Sequence, residues 1–222
     1  MKNDIESVCN IEPEGPNGTL VKSQSEFVEE NCIMNDTKQA MYTAFISLYR
    51  EYSFDQISVK KLCIQVPVAR TTFYSYYNNL FELKDEIEDE LIGGILDIAK
   101  HSIDDSPDKA DMSSFFTKTL NYIKLHWDEN YAFLIAQPNI SYIKKWKDAI
   151  KYHLALRFPG RESMTNYGLI LEVIASAIIG AYTYWMEHSD EVDIPKLTDI
   201  SIQMLLATGQ ILQRLRKFRS LF

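Results

Sequence analysis

The sequence is short of the residues that carry redox, metal and phosphate-loop chemistry. It has three cysteines, Cys9, Cys32 and Cys63, an odd number at no metal or redox spacing. Neither a disulfide framework nor a zinc site is expected, and the thiols read as reduced ones of a cytosolic protein. The four histidines, His101, His126, His153 and His188, stand far apart with no HExxH arrangement, and no glycine-rich phosphate loop occurs. No metal, cofactor or catalytic group is therefore expected, and the chain does not read as an enzyme. Glycine and proline number only eight and seven, too few for a collagen-like or low-complexity chain. The start, MKNDIESVCNIEPEGP, has no apolar leader, so no secretory signal is expected. The most apolar stretch, Gly168 to Trp185, is interrupted by Glu172 and falls short of the ~18 uninterrupted apolar residues of a membrane span. It reads as a buried or interface helix, and a cytoplasmic location without a membrane is expected.

Positive charge is scarce too. Lysine and arginine total 23 against 31 acidic residues, a net charge of −8. The distribution matters more than the total, because attraction to phosphates acts within about a Debye length, ~8–10 Å. Residues 1–36 hold two lysines against eight acids, whereas residues 37–85 hold six basic residues (Lys38, Arg50, Lys60, Lys61, Arg70 and Lys84) against four acids. A mildly basic island thus lies in an acidic chain. Nucleic acid remains admissible as a partner, with weak non-specific binding.

What the chain has is helical periodicity and no strand-like alternation, so the fold class is all-α. Residues 1–36, with Pro13, Gly15, Pro16 and Gly18 among scattered acids, read as an acidic flexible tail with a short helix near Ser25 to Glu30. Asp36–Thr37 is a plausible N-cap for a helix whose Met41, Ala44, Phe45, Leu48 and Tyr52 share one face. Ser58 caps a short helix with Val59, Leu62, Cys63 and Val66 inward. Pro67 stops it by removing an amide donor. A second short helix carries Thr72, Phe73, Tyr74, Tyr76 and Tyr77. A long helix follows from about 80 to 102, with Gly93–Gly94 in its middle, either a bend or a close packing contact. Further helices are expected at about 112–127, 129–136, 140–156, 162–188 and 196–218.

Two short helices joined by a tight turn, behind a longer packing helix, make a three-helix DNA-binding unit, or in the plainer reading ordinary helix surface and core. The second helix of such a unit projects polar residues from its N-terminal turn toward base edges, and its apolar face is held rigidly. Arg70, Thr71 and Thr72 lie at that turn, while Phe73 and Tyr77, four apart, form the anchor.

The run ISVKKLCIQVPVARTTFYSYYNNLFEL resembles the signature of TetR-family transcriptional regulators, with its Thr72–Phe73–Tyr74 and Tyr76–Tyr77. The preceding TKQAMYTAFISLYREYSFDQ extends the likeness. PNISYIKKWKDAIKYHL and EVIASAIIGAYTYWMEHSDEVDIPKL look like the effector domain of a subgroup from low-GC Gram-positive bacteria. The resemblance implies an N-terminal helix-turn-helix DNA-binding domain (37–83) and a C-terminal helical effector-binding and dimerisation domain (84–222). It implies a homodimer on a double-stranded operator, acting as a repressor released by a small molecule. Residue by residue, it implies base reading by Arg70 and Thr71, and phosphate contacts from Thr72, Tyr74 and Tyr76. Ser58 matches a further phosphate contact and Lys60 an occasional base contact. The chain departs from the pattern at Pro67, where the family has Gly, at Ala69, where it has a capping residue, and at Leu80, where Lys is common.

For the effector half, aromatics are dense between residues 115 and 185. Phe116, Tyr122, Trp146 and Tyr182 are candidates for a pocket taking a small apolar or cationic molecule, or else plain core. Helices 162–188 and 196–218 are the expected dimer interface, through Ala175, Ala177, Gly180 and Ala181 on one and Ile200, Met204, Leu205, Leu212 and Leu215 on the other. The cluster Arg214, Arg216, Lys217 and Arg219 suits the negative end of its helix dipole. The alternative, from another class, is an all-α regulator without small-molecule sensing that acts through a protein partner.

Overall fold

The computed structural model describes residues 24–105, 112–161 and 166–219, with side chains over 36–103, 112–161 and 166–207. The acidic segment before residue 24 and the side chains of Leu212, Leu215 and the Arg214–Arg219 cluster lie outside the described residues. The chain divides into two compact units, residues 1–38 and 39–222, and the candidate site lies in the second.

Among the described residues nine α-helices run in order: α1 Gln24–Glu51, α2 Val59–Gln65, α3 Arg70–Tyr76, α4 Leu80–Asp105, α5 Ser113–Leu125, α6 Trp127–Tyr131, α7 Ile140–Arg157, α8 Tyr167–Glu187 and α9 Ile194–Arg219. There is no strand among the described residues, as the absence of two-residue alternation requires. α1 corrects one expectation, because Asp36–Thr37 is not a cap but lies inside the helix. No Gly or Pro stands between Gln24 and Thr37, so nothing local stops the helix from extending backwards.

The sequence spells a stripe of Leu83, Ile87, Leu91, Ile95 and Ile98 along α4; the first four are buried, whereas Ile98 is only partly so and Ala99 takes the inward place. Gly93 and Gly94 do not break the helix. A Cβ on Gly94 would fall inside contact distance of the Tyr122 ring, 2.7 Å from its nearer Cε, whereas one on Gly93 would meet nothing within 4 Å. Close packing explains the second glycine. Gly93→Ala is therefore expected to raise stability by up to about 1 kcal/mol, while Gly94→Ala loses that gain to the displaced Tyr122. Thermal denaturation of the two variants checks this, and equal stabilisation by both would show that Tyr122 is not held against α4.

After α6 the helix widens into a π-type turn, Ala132–Ala136, a local form that recurs at functional sites. The turn after it, Gln137 to Asn139, ties three helices together. The Gln137 side-chain amide donates to the backbone carbonyls of Tyr49 (2.6 Å) and Tyr52 at the C-terminal end of α1. Asn139 caps α7 by accepting from the Ser141 and Tyr142 amides, and its own NH2 donates to Glu88 of α4 at 2.7 Å.

By length and composition α8 could cross a membrane, so counting Glu172 as an interruption understates its apolarity. Here Ile174, Ala175, Ile178, Tyr182 and Met186 are buried within the protein. Glu172 pairs with Lys147 and Lys151 of α7 at 3.0 and 2.5 Å, and those two ammonium groups pull its carboxyl down to about pKa 2. The outward residues of α8, Leu169, Val173, Gly180 and Tyr184, are exposed, as are Ile200 and Leu206 of α9.

Candidate nucleic-acid interface

The interface is built on α2, its turn and α3. Ser58 is the N-cap of α2, its hydroxyl accepting from the Lys61 amide at 3.2 Å. Leu62 and Val66 are buried, Val59 and Cys63 partly so. Gln65 reaches back to Ser47 of α1 at 3.2 Å, and the Lys61 ammonium lies over the Tyr52 ring. These links make α1 and α2 one support for α3.

The turn explains Pro67. The Val68 amide donates to the Val66 carbonyl at 2.6 Å, a three-residue turn whose central position, Pro67, has a negative φ that proline supplies ready-made. Val66 and Ala69 are both extended, at φ −100° and −70°. The described residues have no positive φ between α2 and α3, so this form of the turn does not need the glycine that the family pattern carries there. Ala69 is the N-cap of α3 and gives no side-chain bond. Only its carbonyl serves, accepting from Thr72 and Phe73 at 3.0 and 3.2 Å.

α3 is two-sided. Phe73 is fully buried and Tyr77, just past its end, nearly so, with their rings 5.7 Å apart. On the other side Arg70, Thr71, Tyr74 and Ser75 are exposed, with Thr72 and Tyr76 half-buried. Tyr74 stands at 56% exposure with its ring edge-on to Phe73. Ser58 and Lys60 are exposed at the start of α2. All seven sequence-nominated residues thus lie within α2 and α3 or their caps. Burial raises the Tyr77 phenol first, and Glu86 adds to it.

The entry to α4 holds residues that sequence reasoning passed over. Asn79 accepts from the Phe81 and Glu82 amides, while the Glu82 carboxylate takes the Asn78 amide at 2.8 Å. That bond keeps the Glu82 carboxyl below its ordinary pKa. The Asn–x–x–Glu spacing is a capping signature and was legible. Leu80, where a phosphate-binding lysine is common, is buried.

No family model matches the chain, and no curated protein does. Solved structures do. A TetR transcriptional regulator from Streptococcus agalactiae 2603V superposes with a TM-score of 0.61 at 18% identity, over 80% of this chain and 98% of that one. The fatty acid degradation regulator FadR from Bacillus halodurans gives 0.61 at 16%, over 77% and 94%. DhaS, an activator of a dihydroxyacetone kinase operon, gives 0.52 at 19%, over 79% and 97%. The chain has the TetR fold.

Within this TetR fold the four candidate pocket residues are placed as follows. Phe116, Trp146 and Tyr182 are buried to 1% exposure or less, and Tyr122 is half-buried against Gly94. Trp146 and Tyr182 touch edge to face, 5.8 Å between centroids, while Phe116 packs on Phe115. Burial alone pushes the Tyr182 phenol far up. Its hydroxyl and that of Thr119 on α5 are buried without a hydrogen-bond partner. None of the four lines the cavity that opens between α1 and α6. Among the described residues no three His, Cys, Asp or Glu converge on a metal-sized site.

Proposed function

We propose that this chain is a sequence-specific, DNA-binding transcriptional regulator of the TetR type, cytoplasmic and without catalytic activity, that reads an operator with α3. The observation that carries the reading is the two-sided α3, polar at Arg70, Thr71 and Tyr74 and anchored by Phe73 and Tyr77, in a TetR fold. In this reading Arg70 and Thr71 face base edges, with Lys60 as an occasional further base contact. Thr72, Tyr74, Tyr76 and Ser58 hold phosphates, which fixes register rather than sequence. Residues 37–83 act as the reading head and 84–222 as the effector and dimer body. A homodimer joins through α8 and α9, which expose the apolar side chains Leu169, Val173, Tyr184, Ile200 and Leu206, whereas Ala175, expected at that interface, is buried within the protomer.

We further propose repression relieved by a small molecule in the body, near Phe116, Tyr122, Trp146 and Tyr182. The support is the two unpaired buried hydroxyls of Thr119 and Tyr182, polar atoms that a ligand would satisfy. The opposite reading, a regulator that works through a protein partner, draws on the direct packing of Trp146 against Tyr182, which fills that region with protein.

A gel-shift assay on the DNA upstream of the gene tests the main reading. Arg70→Ala is expected to lose about 1–3 kcal/mol and to relax preference at one base pair. Tyr74→Phe is expected to weaken all sequences alike. Unchanged affinity of both variants for a confirmed operator would remove α3 as the reading helix.

A further inference from the structure

A cavity of about 880 Å³ opens between α1 and the α6 segment, within the size range of drug-sized ligand sites. It is not the aromatic core of the body. Its α1 wall includes Tyr42, Arg50 and Glu51, and its α6 wall Trp127, Asp128, Glu129 and Tyr131.

We propose that this cleft binds a bulky organic cation, and that the bound cation loosens the tie between α1 and the body. Three rings and three carboxylates face one basic side chain, a lining that disfavours anions and rewards a poorly hydrated positive charge. The protein already places such a charge there. The Arg50 guanidinium lies 2.6 Å from Asp128 and 5.5 Å from the centre of the Tyr131 ring, so a planar cation sits between a ring and a carboxylate. Arg50 and Asp128 keep 42% and 65% of their side chains exposed, which makes the pair weak and easily exchanged. Glu129 is less exposed and its nearest base is the His126 imidazole, at 3.9 Å. Burial first, and then the Glu129 charge, push up the Tyr42 phenol.

A cation that takes Asp128 and Tyr131 displaces Arg50. It thereby removes one of the ties that hold the end of α1 to the body, beside the Gln137 bonds and the Tyr49–Phe133 ring contact at 5.0 Å. Because α1 supports α2 through Ser47 and Gln65, a change in that tie reaches α3. This consequence rests on the DNA-reading proposal above, whereas the binding itself does not.

Titration of the full chain with tetraphenylphosphonium, followed by calorimetry and tryptophan fluorescence, tests the site. Saturable binding is expected, at least tenfold tighter than that of uncharged triphenylphosphine oxide. Asp128→Asn with Glu129→Gln is expected to weaken it tenfold or more at unchanged melting temperature, while Tyr182→Phe leaves it within twofold. The site is overturned by no saturable binding, by equal binding of the uncharged probe or of the double variant, or by a loss that follows Tyr182→Phe. On a confirmed operator, saturating cation is expected to lower DNA affinity at least threefold for the unmodified chain and not for the double variant. Binding without that shift overturns the loosening and leaves the site standing. If the chain bound no operator, the DNA reading would fail, and calorimetry would still decide the cation site.

Discussion

Glu88→Ala is expected to destabilise the protein by about 3–5 kcal/mol, since it removes one member of a buried ion network and strands the rest. Glu88 is wholly buried on α4. One of its oxygens takes Lys84 at 2.6 Å and Asn139 at 2.7 Å, and the other lies 2.9 Å from Lys145. Lys84 has only 8% exposure, with Asp85 as its other partner at 3.3 Å. Lys145 retains Asp89 at 2.7 Å. Burial works against the Lys145 ammonium, yet its bonds to Asp89 and Glu88 hold its pKa above the ordinary lysine value. Without Glu88, a largely desolvated Lys84 charge is left with one weak partner, and the Gln137–Asn139 turn loses its hold on α4. Glu88→Gln keeps the shape and one acceptor and should cost less. Urea denaturation at a single protein concentration measures both. A loss below about 1 kcal/mol for Glu88→Ala would mean that Lys84 reaches water freely.

The second large effect is acid sensitivity from His153. Its ring is fully buried, stacked on Phe115 at 3.8 Å, with Nδ1 3.2 Å from the Ala99 carbonyl and Nε2 without a partner. Burial lowers its pKa to about 4, the Ala99 carbonyl opposes this, and Arg157 adds to it. The folded protein therefore holds His153 neutral while the unfolded chain takes up a proton near pH 6.5. Between those two values the unfolded state binds more protons, so stability is complete above about pH 6.5 and falls as pH drops toward 4. The loss is on the order of 3 kcal/mol. Glu172, held near pKa 2 by Lys151 and Lys147, keeps its contribution above about pH 4.5 and gives it up only as pH falls toward 2, so the two windows separate. Denaturation midpoints at pH 7, 5.5 and 4.5 for the unmodified chain and for His153→Leu provide the check. The variant is expected to lose most of the slope, and parallel slopes would assign the acid sensitivity elsewhere.

Much of the architecture was legible residue by residue. The 3.6-residue stripes of α4 and the short helices around Leu62 and Phe73 could be read because each repeats apolar residues at one helical interval. Other features were hidden by their ordinary local appearance. Lys84 and Glu88, spaced i and i+4, look like a surface pair until α7 closes over them with Lys145 and Asn139. Gln137 looks like loop polarity until its amide meets the end of α1, 88 residues away along the chain to Tyr49. Asp36–Thr37 looked like a cap because Asp and Thr suit that position, yet the helix had no reason to begin there. Pro67 departs from a family pattern, and only the hydrogen bond across it explains how the turn accommodates it.

The two-sided character of Arg70 to Tyr77 was determined by the sequence alone, because the alternation of polar and aromatic residues over two helical turns allows one buried face. Which partners that face would meet, and what lies between α1 and α6, was decided only by the tertiary structure. The cleft joins Arg50 to Asp128 and Tyr131, residues 78 and more positions apart. Helical periodicity reports which face of a helix turns inward, and it carries no information on which distant helix will close against that face.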